Sequence, residues 1–378
     1  MINKITVISF LAVLFTVFFL NVLRDPDELS FFERRRLAQM PELTADGLLS
    51  GKFMSDFDDF AVDQMMFREQ YRRLKAVFDL NVLRKLDNNG IFIRNGMVFK
   101  TEYPLNESSI RRLCETINTV HSLYLDGLDN VYYTIVPDKN AYLQNSGHLV
   151  LDYGRMEDAA RGFIKDEIGY ISLFGALSLE DYFRTDSHWR QERLSGVVDA
   201  LAAGLGAVID PKPYAEQHFD RFYGVYYGQS ALNIDPDDLT YLVSETTDNA
   251  VVTSVEKPGE IIPVYDLTQL GAMDSYSMFM GGPAAIVTAQ NPQNSSGRGL
   301  ILFRDSYASS LSPLLLDGYS TITLVDLRYV NPEMVGEFVE FTNQDVLFIY
   351  SATLFNTSDS VRAPGAFVSP FVARGRIG

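Results

Sequence analysis

The chain reads as an α/β protein with a mostly parallel sheet covered on both faces, preceded by an N-terminal transmembrane helix. Two observations predict this. Near-continuous apolar runs of strand length, among them Val131–Val136, Leu300–Phe303, Thr321–Val325 and Val346–Tyr350, alternate with helical or loop segments, which is the pattern of strands buried on both sides. Ahead of them, Ile5 to Leu23 is an unbroken uncharged run of 19 residues. As a helix it spans roughly 28 Å, close to the hydrocarbon thickness of a bilayer.

The run ends at Asn21-Val22-Leu23-Arg24-Asp25 with no small-x-small cleavage pattern, so a retained anchor is favoured over a signal peptide. Everything after residue 25 is then expected outside the cytoplasm. Residues 24–42 are charged, and Glu33-Arg34-Arg35-Arg36 reads as a solvated juxtamembrane turn. Between 51 and 87, Phe53, Phe57 and Phe60, then Phe67, Tyr71, Leu74, Val77 and Phe78, recur at helical spacing. Asp87-Asn88-Asn89-Gly90 stops that pattern. Ile91-Phe92-Ile93 and Met97-Val98-Phe99 flank Arg94-Asn95-Gly96, which predicts a hairpin. Helices are expected over 107–127, 155–168 and 190–205, with an irregular, aromatic-rich stretch over 206–284 that holds short strands at Ala250–Val255 and Glu260–Val264. The expected domains are 1–28 (anchor), 29–100 (juxtamembrane helices and hairpin) and 101–378 (the α/β domain).

Composition narrows the chemistry. The apolar share is 47% and the charged share 21%, which suits a packed core and argues against wholesale disorder. A formal net charge of −17 disfavours nucleic acid as a partner, because phosphates need lysine and arginine contacts. Cys114 is the only cysteine, so an intrachain disulfide and a cysteine-based zinc site are both excluded. His121, His148, His188 and His218 form neither HxH nor HExxH, there is no phosphate-loop motif, and neither metal nor cofactor is expected.

Two segments could carry catalysis. In Phe303-Arg304-Asp305-Ser306-Tyr307-Ala308 a serine follows an apolar strand at a strand-to-helix turn, where ligands bind in open α/β sheets. The competing reading is an ordinary helix cap. In Thr185-Asp186-Ser187-His188-Trp189, positions i and i+2 of an extended segment share a side. Asp186 can thus orient His188; a structural histidine before the next helix is the alternative.

The pairing of TDSHW with a downstream strand ending in RDSYA resembles the DHHW family and is similar to alginate O-acetyltransferase-like proteins. The likeness extends through Glu33-Arg34-Arg35-Arg36-Leu37-Ala38, Asp63-Gln64-Met65-Met66-Phe67-Arg68, Pro137-Asp138-Lys139, Tyr276-Ser277-Met278-Phe279-Met280-Gly281-Gly282 and Asp326-Leu327-Arg328-Tyr329. It implies a three-layer SGNH-hydrolase-like domain whose triad order is Asp, His, Ser, reversed as by circular permutation. Asp186 then orients, His188 is the base and Ser306 the nucleophile. Arg304 stands where ordinary SGNH enzymes carry glycine, and Ser187 where the family name has histidine.

The resemblance implies an O-acetyltransferase acting on a cell-envelope or exopolysaccharide glycan, supplied by a multi-span membrane acyltransferase. The alternatives are a glycan acetylesterase and a non-catalytic envelope scaffold or glycan-binding protein. The Ser306 N–H is the expected oxyanion donor, with Gly282 or Asn291 of the 281–291 loop as the second. Lys139 and Arg328 are expected at the substrate crevice, or as surface charge or a salt bridge, Tyr329 at the substrate crevice, and Trp189 against a sugar or in packing.

Overall fold

The computed structural model describes residues 2–143, 147–210 and 212–362. The chain divides into two compact units, Met1–Phe92 with Val225–Asp235, and Ile93–Gly224 with Pro236–Gly378.

The first unit starts with the helix Ile2–Leu23. Its Lys4–Leu23 stretch is long and apolar enough to cross a membrane, the one such helix among the described residues. Near its end, the Asn21 side-chain oxygen accepts the Met66 N–H at 2.6 Å. The basic segment after it is the exposed turn expected, but ion pairs tie it down. Leu29–Ser30 and Arg35–Arg36 pair as a short antiparallel ladder. Arg35 grips Asp63 with two hydrogen bonds of 2.7 and 2.5 Å, and its guanidinium holds the Asp63 carboxyl down to about 2. Arg68 pairs with Glu33 alongside. Charges far apart in the chain thus fold the segment back, an arrangement invisible to local spacing.

Helices Lys52–Asp63 and Arg68–Val77 carry the expected repeat. They break at Phe67, whose φ of 61° is left-handed. Phe67, Tyr71, Leu74, Val77 and Phe78 nevertheless remain exposed. Periodicity reveals a helix with one apolar stripe; it does not say what the stripe packs against.

The second unit is built on one eight-stranded sheet. In chain order its strands are β1 (Val131–Val136), β2 (Gly169–Tyr170), β3 (Val251–Ser254), β4 (Lys257–Ile262), β5 (Ile286–Gln290), β6 (Gly299–Arg304), β7 (Thr321–Val325) and β8 (Asp345–Ser351). Across the sheet they run β4-β3-β5-β7-β6-β8-β1-β2. Neighbours from β7 to β2 are parallel, while β5, β3 and β4 are antiparallel. The sheet is therefore α/β and parallel-rich but mixed, since the three extra strands extend one edge by antiparallel pairing. The 206–284 stretch is more regular than expected: Ala215–Phe222 and Asp237–Val243 form a separate two-stranded ribbon.

Period-two alternation explains the layers. Leu300 and Leu302 of β6 and Leu347 and Ile349 of β8 face one core with helices Ser195–Leu205 and Tyr307–Leu315. Ile301, Phe303, Val346 and Phe348 face the other, with helices Glu107–Val120 and Tyr153–Phe163. Cys114 lies in that second core, fully buried, and burial pushes its thiol up to about 12.

The parallel register also gathers the strand ends. Phe303 pairs with Val325 and with Phe348, so the loops after β6, β7 and β8 leave from a single rim, where the loop after β1 joins them. That is where an open α/β sheet carries its ligands. The core behind the rim should be unforgiving: Phe348, fully buried with its ring 4.6 Å from that of Phe303, is expected to cost about 3–5 kcal/mol when replaced by alanine, read as a fall in denaturant midpoint.

Candidate active site

Ser306 lies two residues past the end of β6, after Asp305, and caps the helix Tyr307–Leu315 in position only, since its side chain makes no capping bond. The capping role belongs to Asp305. One of its carboxylate oxygens accepts the Tyr307 N–H at 3.1 Å and the other the Ser351 N–H at 2.8 Å, which ties the serine loop to the end of β8. The Ser306 hydroxyl is instead 2.7 Å from His188 Nε2, and Nδ1 of the same ring is 2.6 Å from Asp186. Asp186 is fully buried, while His188 and Ser306 are partly accessible. The structure thus brings all three residues together in the order carboxylate, imidazole, hydroxyl.

Asp186 and His188 are not arranged by an extended strand, as the two-residue spacing suggested. Residues 181–190 close on themselves. Phe183 N–H bonds to His188 O at 3.1 Å and Arg190 N–H to Asp181 O at 2.7 Å. Inside this bend the Asp186 carboxylate accepts the His188 backbone N–H at 3.0 Å as well as the ring. An Asx-type turn therefore does the orienting.

Three buried contacts hold the bend. Asp237, from the ribbon, accepts the Arg184 N–H at 2.9 Å, and the Thr185 N–H and hydroxyl at 2.8 and 2.5 Å. Lys139 Nζ donates to the carbonyls of Phe183 and Arg184 at 2.9 and 3.0 Å. Gly224 packs so tightly that a Cβ there would lie 2.3 Å from Thr185 O and 2.4 Å from Asp186 N. Two further bonds lash the bend to the serine helix: Tyr307 hydroxyl to Ser187 O at 2.6 Å, and Trp189 Nε1 to Tyr307 O at 3.1 Å. The flat face of His188 lies on Tyr276, with ring centroids 3.8 Å apart and planes at 11°.

Several expected contacts lie elsewhere. Lys139 is only 2% exposed, and Trp189 is wholly buried with its N–H spent on Tyr307 O and Ser310 Oγ; neither side chain can meet a substrate. Both face inward because they anchor backbone at the rim. Asn291 is at the opposite end of the sheet: Gln290 pairs with Thr321 at the start of β7, and Asn291 Nδ2 bonds to Leu316 O at 3.0 Å. The antiparallel course of β5 carries it away from Ser306, so it cannot be an oxyanion donor. The Gly282 N–H is engaged by Phe279 O at 3.0 Å and its carbonyl by Arg304. Arg328 is clamped on Asp326 at 2.6 Å, next to exposed Tyr329. Both follow β7 at the shared rim. Among the described residues the Ser306 N–H has no protein acceptor.

Arg304, the departure noted in the serine segment, points into the protein. It is 1% exposed, donates to Ser309 Oγ at 2.9 Å and sits 3.9 Å from Asp326. Asp237, Thr185, Gly224 and Tyr276 were not singled out for the site from the sequence. Their signal is tertiary, apart from Thr185 and the Tyr276 stretch, which the resemblance had marked without a role.

The fold and the arrangement of these side chains define an α/β protein with a parallel-rich sheet and a serine–histidine–aspartate constellation at its rim. The sequence model of the DHHW protein family matches residues 174–325, the span that holds both the His188 bend and the Ser306 loop. The structure of a DHHW family protein from Eubacterium siraeum is similar at 21% identity, covering 72% of this chain and 94% of the other with a TM-score of 0.59. Bacillus cereus PatB1, solved with a sulfonyl adduct, is similar at 17% identity over 72% of this chain and 98% of that one, TM-score 0.58. PatB1 solved again gives 16%, 70%, 97% and 0.57. No curated protein matches the chain.

Two outcomes follow from the support of the bend. Gly224→Ala forces the Thr185–Asp186 backbone aside and is expected to lower stability by about 1–3 kcal/mol, measured by chemical denaturation. Burial pulls the Lys139 ammonium down to about 7, against the carboxylates of Asp186, Asp237 and Asp138. Its folded pKa thus lies below its unfolded value of about 10.4, so the unfolded chain binds the extra proton between the two. Stability of the native chain should therefore rise with pH across that window relative to Lys139→Met, which lacks the titrating group.

Proposed function

We propose that this chain is an extracytoplasmic, membrane-anchored serine O-acetyltransferase that modifies a cell-envelope or exopolysaccharide glycan through an acyl-serine. The observation that carries the reading is the continuous pair of short contacts, Ser306 Oγ to His188 Nε2 at 2.7 Å and His188 Nδ1 to Asp186 at 2.6 Å. A hydroxyl, a base and a buried orienting carboxylate in that sequence are what acyl transfer by a serine requires. A sulfonyl adduct solved on PatB1, of the same fold, is in keeping with nucleophile chemistry on this frame.

In the proposed reaction Ser306 Oγ attacks the acetyl carbonyl as its proton passes to His188 Nε2. Asp186, fully buried and bonded to Nδ1, offsets the imidazolium charge. The tetrahedral oxyanion takes the Ser306 N–H at the positive end of the helix Tyr307–Leu315. His188 returns the proton to the departing oxygen, leaving acetyl-Ser306. A sugar hydroxyl then gives its proton to His188, attacks the acyl carbon and regenerates the serine. The helix Lys4–Leu23 supports the anchored location, and a multi-span membrane acyltransferase is the proposed source of acetyl groups.

The test incubates purified protein with an activated acetyl ester, with and without oligosaccharide acceptors. Acetylated glycan should form, Ser306→Ala should abolish it, and Asp186→Asn should lower kcat by about 10⁴-fold. Release of acetate at a rate indifferent to every glycan would assign the site to an acetylesterase. Full function in the Ser306→Ala chain would remove the catalytic reading altogether.

A further inference from the structure

Resting on the acyl-serine reading, we infer that Tyr276 is a positioning residue whose ring holds the His188 imidazole in the plane that serves Ser306 and steadies its protonated form.

The geometry leaves a task for such a group. His188 is held by two contacts in its own plane, Nδ1 to Asp186 and Nε2 to Ser306. Two points define an axis, and the ring could still tilt about the line through them. Tyr276 closes that freedom by presenting a parallel face at 3.8 Å and 11°. Tyr307 leans on the imidazole from another direction at 4.9 Å and 52°.

Tyr276 is itself immobile. It sits on the short turn Ser275–Met278, and only 4% of it is exposed. Its hydroxyl meets Ser310 Oγ at 2.7 Å, and that oxygen also accepts Trp189 Nε1 at 3.0 Å. The rings of Phe279 and Phe183 brace it at 5.1 and 6.4 Å. The wall behind the histidine is thus pinned to the serine helix on one side and to the bend that holds Asp186 on the other.

When His188 accepts the serine proton, its positive charge forms over the negative face of the phenol, an attraction that a saturated side chain cannot supply. The charged or titratable groups that face the stacked pair are Asp186 and Tyr307 against the imidazole, and Asp186, Asp305 and Asp274 around the Tyr276 phenol. Replacing Tyr276 by leucine leaves all of these and keeps an apolar cover; it removes only the aromatic face and the hydroxyl. Phenylalanine removes the hydroxyl alone.

The test uses full-length protein in detergent, with p-nitrophenyl acetate hydrolysis and sulfonyl fluoride labelling of Ser306 as readouts, and melting curves for folding. Tyr276→Phe should stay within about twofold of the parent. Tyr276→Leu should lose about tenfold in kcat with KM little changed, the pattern of a mis-set base with substrate binding intact. The acid limb of kcat/KM should move down by about half a pH unit, the size of one cation–π attraction. Tyr276→Met serves the same purpose if the leucine variant does not fold. A folded leucine or methionine variant with parental kcat and an unmoved acid limb overturns the inference, as does a phenylalanine variant equally impaired. A parent chain that neither hydrolyses the ester nor takes label at Ser306 overturns the acyl-serine reading and this inference with it; labelling of the parent but not of Ser306→Ala secures the reading and leaves the Tyr276 variants to decide.

Discussion

The constellation at the rim depends on one buried constraint, the pinning of the bend 181–190 by Asp237 and Lys139. A carboxylate from the ribbon takes the N–H groups of Arg184 and Thr185, and an ammonium from the end of β1 takes the carbonyls of Phe183 and Arg184. The backbone of two consecutive peptides is thereby satisfied from opposite sides by ionic groups that water hardly reaches. Hydrogen bonds to charged partners in such surroundings are stronger than neutral ones. They fix a short irregular segment, with no sheet or helix of its own, well enough for Asp186 and His188 to meet a serine 118 residues further along.

Much of the frame was legible because its determinants are local. The apolar runs that became β1, β6, β7 and β8 are unusual in being hydrophobic at almost every position, and burial on both sides of a sheet demands that. The place of Ser306, at the turn after an unmistakable strand, was legible for the same reason; its role was not, since an Asp-Ser there reads equally as a helix cap and only the resemblance singled it out. Gly169–Tyr170 is too short to carry a period, and Ile286–Gln290 has threonine and glutamine among its five residues. The ribbon strand Ala215–Phe222 is mostly exposed, so alternation there has no apolar face to reveal it.

The residues misassigned from the sequence share a cause. Lys139 was placed beside the right loop, but sequence position does not say which way a side chain turns. A lysine a few residues past a strand end can face solvent or reach under the next loop, and here it takes the two carbonyls of that loop. Asn291 failed on direction alone. Its strand runs against its neighbours, so the same number of residues that takes the β6 chain to the rim takes the β5 chain away from it. Tyr276 could not have been found by any spacing rule, since its partner lies in a distant segment and their relation is a matter of ring planes.

The lone cysteine has a practical corollary. Cys114 is sealed in the core between the sheet and the helix Glu107–Val120, with its thiol held almost wholly protonated at neutral pH. Thiolate is the reactive species in alkylation and exchange, so burial and protonation both work against attack on this thiol by maleimides or glutathione. A surface cysteine introduced by design is then the one exposed thiol, the preferred handle for a fluorophore or spin label without first deleting the native residue.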